Sequence, residues 1–163
     1  LHVPMVRSAA DAESVVQSTK YQPRGSRGLA AVRAADYAQR IPLGEYVTQA
    51  NAETLVVAHI ETGDAVERLS EIIRVDGLDV AFLGPTDLSN SLGHPGEMQH
   101  PEVQAAFQHF VEAVSGSGVA LGVMVSNAEA ARQWKGRGAR YITVGLENVL
   151  NPACRSYLKS VRE

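Results

Sequence analysis

Two carboxylates follow apolar runs at the points where turn residues begin, and they are the residues best placed for chemistry. Glu61 ends Leu-Val-Val-Ala-His-Ile-Glu, and Asp87 lies in Phe-Leu-Gly-Pro-Thr-Asp. If both runs are parallel strands, both carboxylates emerge at the same edge of one sheet. Acidic oxygens there suit a hard divalent cation, Mg²⁺ or Mn²⁺, that keeps open positions for a substrate. The alternative is that each acid caps the helix that follows.

The turn that precedes the second carboxylate is also suited to binding. Gly84 removes side-chain bulk and Pro85 stiffens the chain. The backbone amides of Thr86 and Asp87 are then predicted to be free to meet a substrate carboxylate. The alternative is an ordinary turn between strand and helix, with Asp87 or Ser89 as the helix cap.

His59 precedes Glu61 by two residues, so on a strand the two side chains share a face. It is therefore a candidate to bind substrate beside the metal. The alternative is a hydrogen-bonded structural histidine. We predict that none of the other histidines forms a ligand pattern. They are His2, His94, His100 and His109.

Other kinds of catalysis have little support in this sequence. A Schiff-base enzyme needs a lysine at a strand end in an apolar pocket, whereas Lys20, Lys135 and Lys159 fall on predicted helices or near their ends. Cys154 has no histidine partner nearby in the sequence. No P-loop, dinucleotide fingerprint or Gly-x-Ser-x-Gly motif is present. Metal-assisted carbon–carbon chemistry is the class that remains.

The composition is that of a globular domain which acts on small molecules. The chain has 163 residues, 45% of them hydrophobic and 20% charged, with a formal net charge of -3. No Lys/Arg-rich run provides a nucleic-acid surface, and the apolar runs are too short to span a membrane. A single cysteine excludes a disulfide framework, which favours the cytoplasm.

Strands and helices alternate along the chain, which predicts a parallel sheet covered by helices. Five strands are too few for a closed barrel, so the count indicates an open sheet or part of a barrel. The opening Leu-His-Val-Pro-Met-Val has no initiator methionine and resembles a buried strand, so we predict a fragment. The predicted strands are 3–6, 54–60, 80–83, 120–125 and 141–144, and the predicted helices are 8–20, 45–50, 64–73, 102–115 and 128–137.

Six motifs in this order resemble the HpcH/HpaI aldolase family of metal-dependent pyruvate aldolases, which act on 4-hydroxy-2-oxoheptanedioate or 2-dehydro-3-deoxyglucarate. The resemblance extends over essentially the whole chain. The motifs are Val3-Pro4-Met5-Val6, Tyr21-x-Pro-x-Gly25-x-Arg27-Gly28, Ile60-Glu61-Thr62, Gly84-Pro85-x-Asp87-Leu88-Ser89, His100-Pro101-Glu102-Val103-Gln104 and Val144-Gly145.

The resemblance implies a TIM (β/α)8 barrel, of which residues 1–163 form one partial domain from about the fourth strand to the C-terminus. It places the metal, Mg²⁺, Mn²⁺ or Co²⁺, on Glu61 and Asp87, and the substrate on His59, Gly84, Thr86 and Asp87. The family usually has Gln where this chain has His59. The catalytic His and Arg are expected upstream of residue 1, so the chain alone is expected to be inactive. The resemblance also implies a homo-oligomer, typically a hexamer.

The predicted function is that of a lyase which cleaves a 4-hydroxy-2-oxo acid to pyruvate and an aldehyde, as in aromatic compound catabolism. Two alternatives remain open. One is a related lyase of the citrate lyase β-subunit type that acts on an acyl-CoA thioester, and the other is a partial barrel that binds an ion and an oxo acid without turnover.

Overall fold

The computed structural model describes residues 1–162, which form a five-stranded parallel sheet with helices between the strands. The strands lie in chain order, β1-β2-β3-β4-β5, and every neighbouring pair is parallel. The strands are β1 (His2–Val3), β2 (Val57–Ile60), β3 (Val80–Leu83), β4 (Ala120–Val125) and β5 (Tyr141–Val144). The helices are α1 (Ala9–Thr19), α2 (Leu43–Glu53), α3 (Gly63–Glu67), α4 (Leu69–Ile72), α5 (Pro85–Ser91), α6 (Pro101–Val114), α7 (Ala128–Gly136) and α8 (Leu146–Arg162), with a 3-10 segment at Arg33–Ala38.

The sheet curls strongly, and side chains at its two edges show this. His2 on β1 and Tyr141 on β5 have ring centroids 5.5 Å apart. In a flat sheet, strands four positions apart would be separated by about 19 Å, since neighbours are about 4.8 Å apart. The contact between the edges therefore requires the five strands to form an arc, as in a barrel.

The two faces of the sheet have different contents. Ala58 and Ile60 on β2 belong to the large core between the sheet and its helices, where Phe110 of α6 is fully buried. The inner face carries a smaller cluster around Phe82. Side chains alternate between faces along a strand, so Glu61 continues the series of Val57 and His59 toward the inner side. The curl of the sheet therefore brings the polar side chains of the inner face close to one another.

Several predicted elements match the observed ones, with limited differences at their ends. The predicted strands 80–83, 120–125 and 141–144 are confirmed to the residue. The predicted helix 8–20 is observed as α1, whose N-cap is Ser8. Its hydroxyl accepts a hydrogen bond from the Asp11 amide at 3.1 Å, as a capping sequence predicts.

Other boundaries differ from the predictions for local reasons. The first strand ends at Val3 because Pro4 has no N–H for the ladder and Met5 has a positive φ of 60°. The predicted strand 54–60 begins only at Val57, since α2 runs on to Glu53. The predicted helix 64–73 is broken at Arg68, where ψ is 7°. The helices α5 and α8 were not predicted from the residues.

The last helix differs from the others in its packing. None of the residues of α8 is buried in the described chain, and its apolar side chains are largely exposed. Among residues 1–162, no helix has the length and apolar character needed to cross a membrane. The exposed apolar residues of α8 are Leu146, Val149, Leu150, Tyr157, Leu158 and Val161.

Candidate functional site

Glu61 is a buried acid directly after β2, at the carboxyl end of the sheet. The residue is 5% exposed. One carboxylate oxygen accepts a hydrogen bond from the Met5 amide at 2.8 Å. Within residues 1–162, Nδ1 of His59 lies 3.6 Å from Oε2 of Glu61, and no Lys or Arg forms a salt bridge with this acid. Burying a charged carboxylate with one hydrogen bond and no Lys or Arg partner raises the free energy of the folded state. A bound cation would therefore stabilise this position.

Met5 adopts an unusual backbone conformation to make this hydrogen bond. Its φ of 60° lies in the left-handed region, which residues other than glycine seldom occupy. The turn directs the amide toward Glu61 immediately after β1 has ended. Backbone strain of this kind, typically about 1–3 kcal/mol, is retained where the surrounding structure holds the residue in place, and it is common at functional sites. Met5 is therefore part of the environment of Glu61.

Gly84 allows Glu61 to sit against the next strand. A Cβ atom at Gly84 would lie 2.7 Å from Oε2 of Glu61 and 2.8 Å from its Cβ. The second distance involves an atom fixed to the backbone, so rotation of the carboxylate would not relieve the clash. The absence of a side chain at position 84 thus brings β3 and the Glu61 carboxylate into contact.

The structure excludes the alternative in which the two acids are helix caps. Thr62 is the N-cap of α3, and its hydroxyl accepts from the Ala65 amide at 3.4 Å. Gly84 is the N-cap of α5, so neither Glu61 nor Asp87 has this role. Asp87 lies exposed in the first turn of α5. The roles of both acids as metal ligands remain predictions.

The amides at the start of α5 have no side-chain cap. Gly84 lacks a side chain, and Thr86 and Asp87 occupy the exposed first turn. Ser89, the other proposed cap, instead donates its hydroxyl to the Thr86 carbonyl at 2.7 Å. Gly84 of this turn contacts Glu61, and the role of the Thr86 and Asp87 amides in binding a carboxylate remains a prediction.

His59 lies beside Glu61 on the inner face of the sheet, and its Nδ1 is 3.6 Å from Oε2 of that acid. Its ring stacks on Phe82, with centroids 4.7 Å apart and planes at 25°. The structure thus brings together His59, Glu61 and Gly84, while Thr86 and Asp87 follow on α5. The substrate-binding role of His59 remains a prediction.

A chain of hydrogen bonds extends from His59 across the inner face, and it could not be predicted from the spacing of these residues along the sequence. Nδ1 of His2 lies 2.8 Å from Nε2 of His59, and Nε2 of His2 lies 2.9 Å from the Tyr141 hydroxyl. Partial burial, followed by the nearby His59 and the chain's amino terminus, lowers the pKa of His2 below 6.5. A neutral His2 can accept at one nitrogen and donate at the other.

This chain of hydrogen bonds has one favourable donor-to-acceptor direction. If the Tyr141 hydroxyl donates to His2 and His2 donates to His59, then His59 carries its proton on Nδ1, which faces Glu61. The reverse direction would place an imidazole lone pair against a carboxylate, which is repulsive. The Glu61 carboxylate therefore favours the direction in which Tyr141, on β5, donates to His2 and His2 donates to His59.

The prediction that none of the other histidines forms a ligand pattern does not hold for His94 and His100, and His2 has hydrogen-bond partners that were not predicted. His2 joins the chain described above. Ring nitrogens of His94 and His100 lie with a carboxylate oxygen of Glu102 so that all three atoms are within 4.8 Å of one another. The loop that joins α5 to α6 brings these residues together, and sequence spacing alone does not indicate that geometry.

Lys20 is a buried amine, but it lies at the other end of the sheet. It is 3% exposed, and burial lowers its pKa. Its ammonium group donates to the carbonyls of Asn51 and Thr54, which precede β2, whereas Glu61 follows β2. Lys135 is on α7 and Lys159 on α8. The lysines are therefore not at the strand end where an imine would form.

Comparison with known proteins places this geometry in a group of related enzymes. A family model described as HpcH/HpaI aldolase/citrate lyase matches residues 1–152. A protein of Klebsiella pneumoniae named 4-hydroxy-2-oxo-heptane-1,7-dioate aldolase is 40% identical over 151 residues, covering 92% of this chain and 56% of the relative. An Escherichia coli protein of the same name is 39% identical, with 57% of its length covered. The chain thus spans little more than half the length of these relatives.

Solved structures show the same architecture. An HpcH/HpaI aldolase/citrate lyase family protein from Burkholderia cenocepacia is similar over 100% of this chain and 65% of its own, with a TM-score of 0.89 and 34% identity. The HpcH/HpaI aldolase from Desulfitobacterium hafniense gives a TM-score of 0.84 at 30% identity, covering 99% of this chain and 63% of its own. The predicted partial (β/α)8 barrel is confirmed.

Proposed function

This chain belongs to the HpcH/HpaI aldolase/citrate lyase family, and from that membership and the surroundings of Glu61 we propose that it forms the ion- and oxo-acid-binding part of an aldolase. The proposed reaction splits the C3–C4 bond of a 4-hydroxy-2-oxo acid, releasing pyruvate and an aldehyde. The names of the relatives support this substrate class. The observation that carries the proposal is the buried Glu61, which has one hydrogen bond and no Lys or Arg partner in the described chain.

Glu61 and Asp87 are the proposed ligands of a divalent cation, Mg²⁺, Mn²⁺ or Co²⁺. The donor set fits, since carboxylate oxygens are the ligands that such hard ions prefer, and Gly84 leaves room beside Oε2 of Glu61. When bound, the ion would supply Lewis-acid polarisation of the 2-oxo group. The family resemblance supports both residues, and the burial of Glu61 against Gly84 is the local observation that supports the first of them.

The protein's own groups have distinct proposed roles. The amides of Thr86 and Asp87 orient the carboxylate of the oxo acid at the start of α5. His59 contacts substrate from the inner face, with its Nδ1 proton directed toward Glu61 and its Nε2 accepting from His2, which in turn accepts from Tyr141. The family resemblance assigns the proton-accepting His and the charge-stabilising Arg to sequence upstream of residue 1. Turnover is therefore proposed for the protein that contains both parts.

The test is a pyruvate-release assay on that longer protein with a panel of 4-hydroxy-2-oxo acids. We expect activity that EDTA abolishes and that Mn²⁺ restores. The Glu61→Gln variant should be inactive, whereas Glu67→Gln, an exposed acid on the neighbouring helix α3, should be fully active. Activity that persists in EDTA would overturn the proposal.

A second candidate is a lyase acting on an acyl-CoA thioester, because the matching family includes citrate lyases. It would use the same ion and the same two carboxylates. Including acyl-CoA thioesters in the substrate panel separates the two functions. Cleavage of a thioester substrate with no pyruvate from any hydroxy-oxo acid would favour this second candidate.

A further inference from the structure

We propose that His94, His100 and Glu102 form a second cation site, separate from Glu61 and Asp87 and selective for a transition metal such as Zn²⁺. One potential ligand atom from each residue lies within 4.8 Å of the other two. The His94 and Glu102 side chains are 3.1 Å apart, and the two imidazole rings stack with centroids 3.4 Å apart. This site does not depend on the proposed aldolase function.

The kind of donor atom indicates the kind of metal. Two imidazole nitrogens and one carboxylate oxygen form the His₂Glu set found in zinc sites with an open fourth position. Neutral imidazole favours Zn²⁺, Cu²⁺ or Ni²⁺, whereas Mg²⁺ and Mn²⁺ favour oxygen. The two sites of this protein are therefore expected to differ in metal preference, because Glu61 and Asp87 offer only oxygen.

The loop that carries His94 is held by a buried residue. Ser89 is fully buried; its carbonyl accepts from the His94 amide at 2.9 Å, and its hydroxyl accepts from the Gly96 amide at 3.0 Å. Gly93 and Gly96 have φ values of 83° and 79°, which glycine adopts without strain. The backbone around His94 is thus fixed before any ion binds.

The other two ligands are fixed by helix α6. His100 is the N-cap, and its Nδ1 accepts from the Glu102 amide at 3.3 Å. This leaves Nε2 of His100 available to a metal. Gln104 donates its side-chain amide to the Met98 carbonyl at 2.6 Å, which ties the loop to the helix. The three ligands therefore sit on a short, well-connected segment.

Coordination requires small side-chain movements. Two Zn–N bonds of about 2.0–2.1 Å at a tetrahedral ion separate the nitrogens by roughly 3.3 Å. The two rings are nearly parallel, with planes at 19°, so they must rotate apart to direct both lone pairs at one ion. His94 and His100 are only half-buried and Glu102 is exposed, which leaves room for that rotation.

The experiment is a Zn²⁺ titration by calorimetry on the Glu61→Gln variant of the longer protein, with Mg²⁺ in excess, so that the hard-ion site does not contribute. We expect one Zn²⁺ per chain. His94→Ala and Glu102→Gln should each weaken binding by at least about 10-fold, since even changes outside the ligand shell have that effect. His100→Asn should do the same while keeping an oxygen at the N-cap.

Two matched controls keep the result specific. His109→Ala removes an exposed histidine from the same helix, and Glu97→Gln removes an exposed acid from the same loop. Both should bind Zn²⁺ as the parent does. With Co²⁺ in place of Zn²⁺, visible absorption bands should appear and should be lost in His94→Ala.

Absence of Zn²⁺ binding, or binding that His94→Ala and Glu102→Gln leave unchanged, would overturn the proposal. Circular dichroism of each variant excludes unfolding as the cause of a loss. Because the titration is performed without Glu61, its outcome does not depend on whether the protein is an aldolase.

Discussion

Glu61 places a carboxylate in the interior with one hydrogen bond, from the strained amide of Met5, and Asp87 lies exposed on α5. We predict that Glu61→Gln and Asp87→Asn each abolish Mn²⁺ binding and leave the fold largely intact. Each change removes an anionic oxygen and keeps the shape of the side chain. Calorimetric titration with Mn²⁺ and circular dichroism measure the two effects. Unchanged affinity in both variants would leave the acids without a role in metal binding.

Gly84 provides a second test of the same site. The methyl group in Gly84→Ala would lie 2.8 Å from Cβ of Glu61, so the chain must shift. We expect Mn²⁺ affinity to fall sharply and stability to decrease by about 1–3 kcal/mol, as for overpacking. Gly44→Ala is the matched control, since a methyl group there meets nothing within 4 Å. Denaturant unfolding and calorimetry should show a loss of stability and of Mn²⁺ affinity only in the first variant, because alanine at position 44 favours helix α2 and should keep or raise stability.

Between elements, the hydrogen bonds of His2 connect β1 to β2 and β5. Because the folded state lowers the pKa of His2 below 6.5, folding disfavours its protonated form. The contribution of neutral His2 to the free energy of unfolding is therefore present in full above pH 6.5. It declines as the pH falls through the lower pKa of His2 in the folded state. His2→Gln should remove this part of the pH dependence. An NMR titration of the His2 ring that gives a pKa of 6.5 or above would contradict the prediction.

Lys20 connects α1 to the end of α2, at the amino end of the sheet. Its buried ammonium group donates to the Asn51 and Thr54 carbonyls, so we assign it a structural role. Borohydride treatment in the presence of substrate should leave activity of the longer protein unchanged, because none of the lysines in residues 1–162 lies at the strand end where an imine would form. Mass spectrometry provides the measurement. A covalent adduct on Lys20, Lys135 or Lys159 would contradict the assignment to metal-assisted chemistry.

The molecule as a whole presents an arc of five strands whose edges, β1 and β5, have no further strand partners within residues 1–162. The helix α8 also exposes apolar side chains, with Leu146 73% exposed. Open edges and apolar surfaces promote association. We predict that residues 1–163 produced alone self-associate, bind hydrophobic dye and show no aldolase turnover.

This last prediction is tested by comparing the short chain with a longer protein of the relatives' length. When an upstream segment of three strand–helix units is present, light scattering and dye binding should both decrease and pyruvate should be released. A short chain that is monodisperse, does not bind the dye and is active would show that it functions without such a segment.

Local sequence was sufficient to predict much of the architecture. The strands at 80–83, 120–125 and 141–144 were predicted to the residue, because each is a short apolar run bounded by turn residues. The placement of Glu61 and Asp87 just beyond strands β2 and β3 also follows from the order of residues along the chain. The order of alternating strands and helices then implied a parallel sheet, with both acids at one edge.

The interactions of His2, Met5 and His94 depended on the folded structure. His2 and Tyr141 are 139 residues apart, and only the curl of the sheet brings them within 2.9 Å. Met5 has a positive φ, and its amide donates to Glu61, 56 residues away. His94 meets His100 through a loop whose shape is fixed by the buried Ser89. Residue types and spacing describe one chain segment at a time, whereas register and curvature decide which distant segments meet.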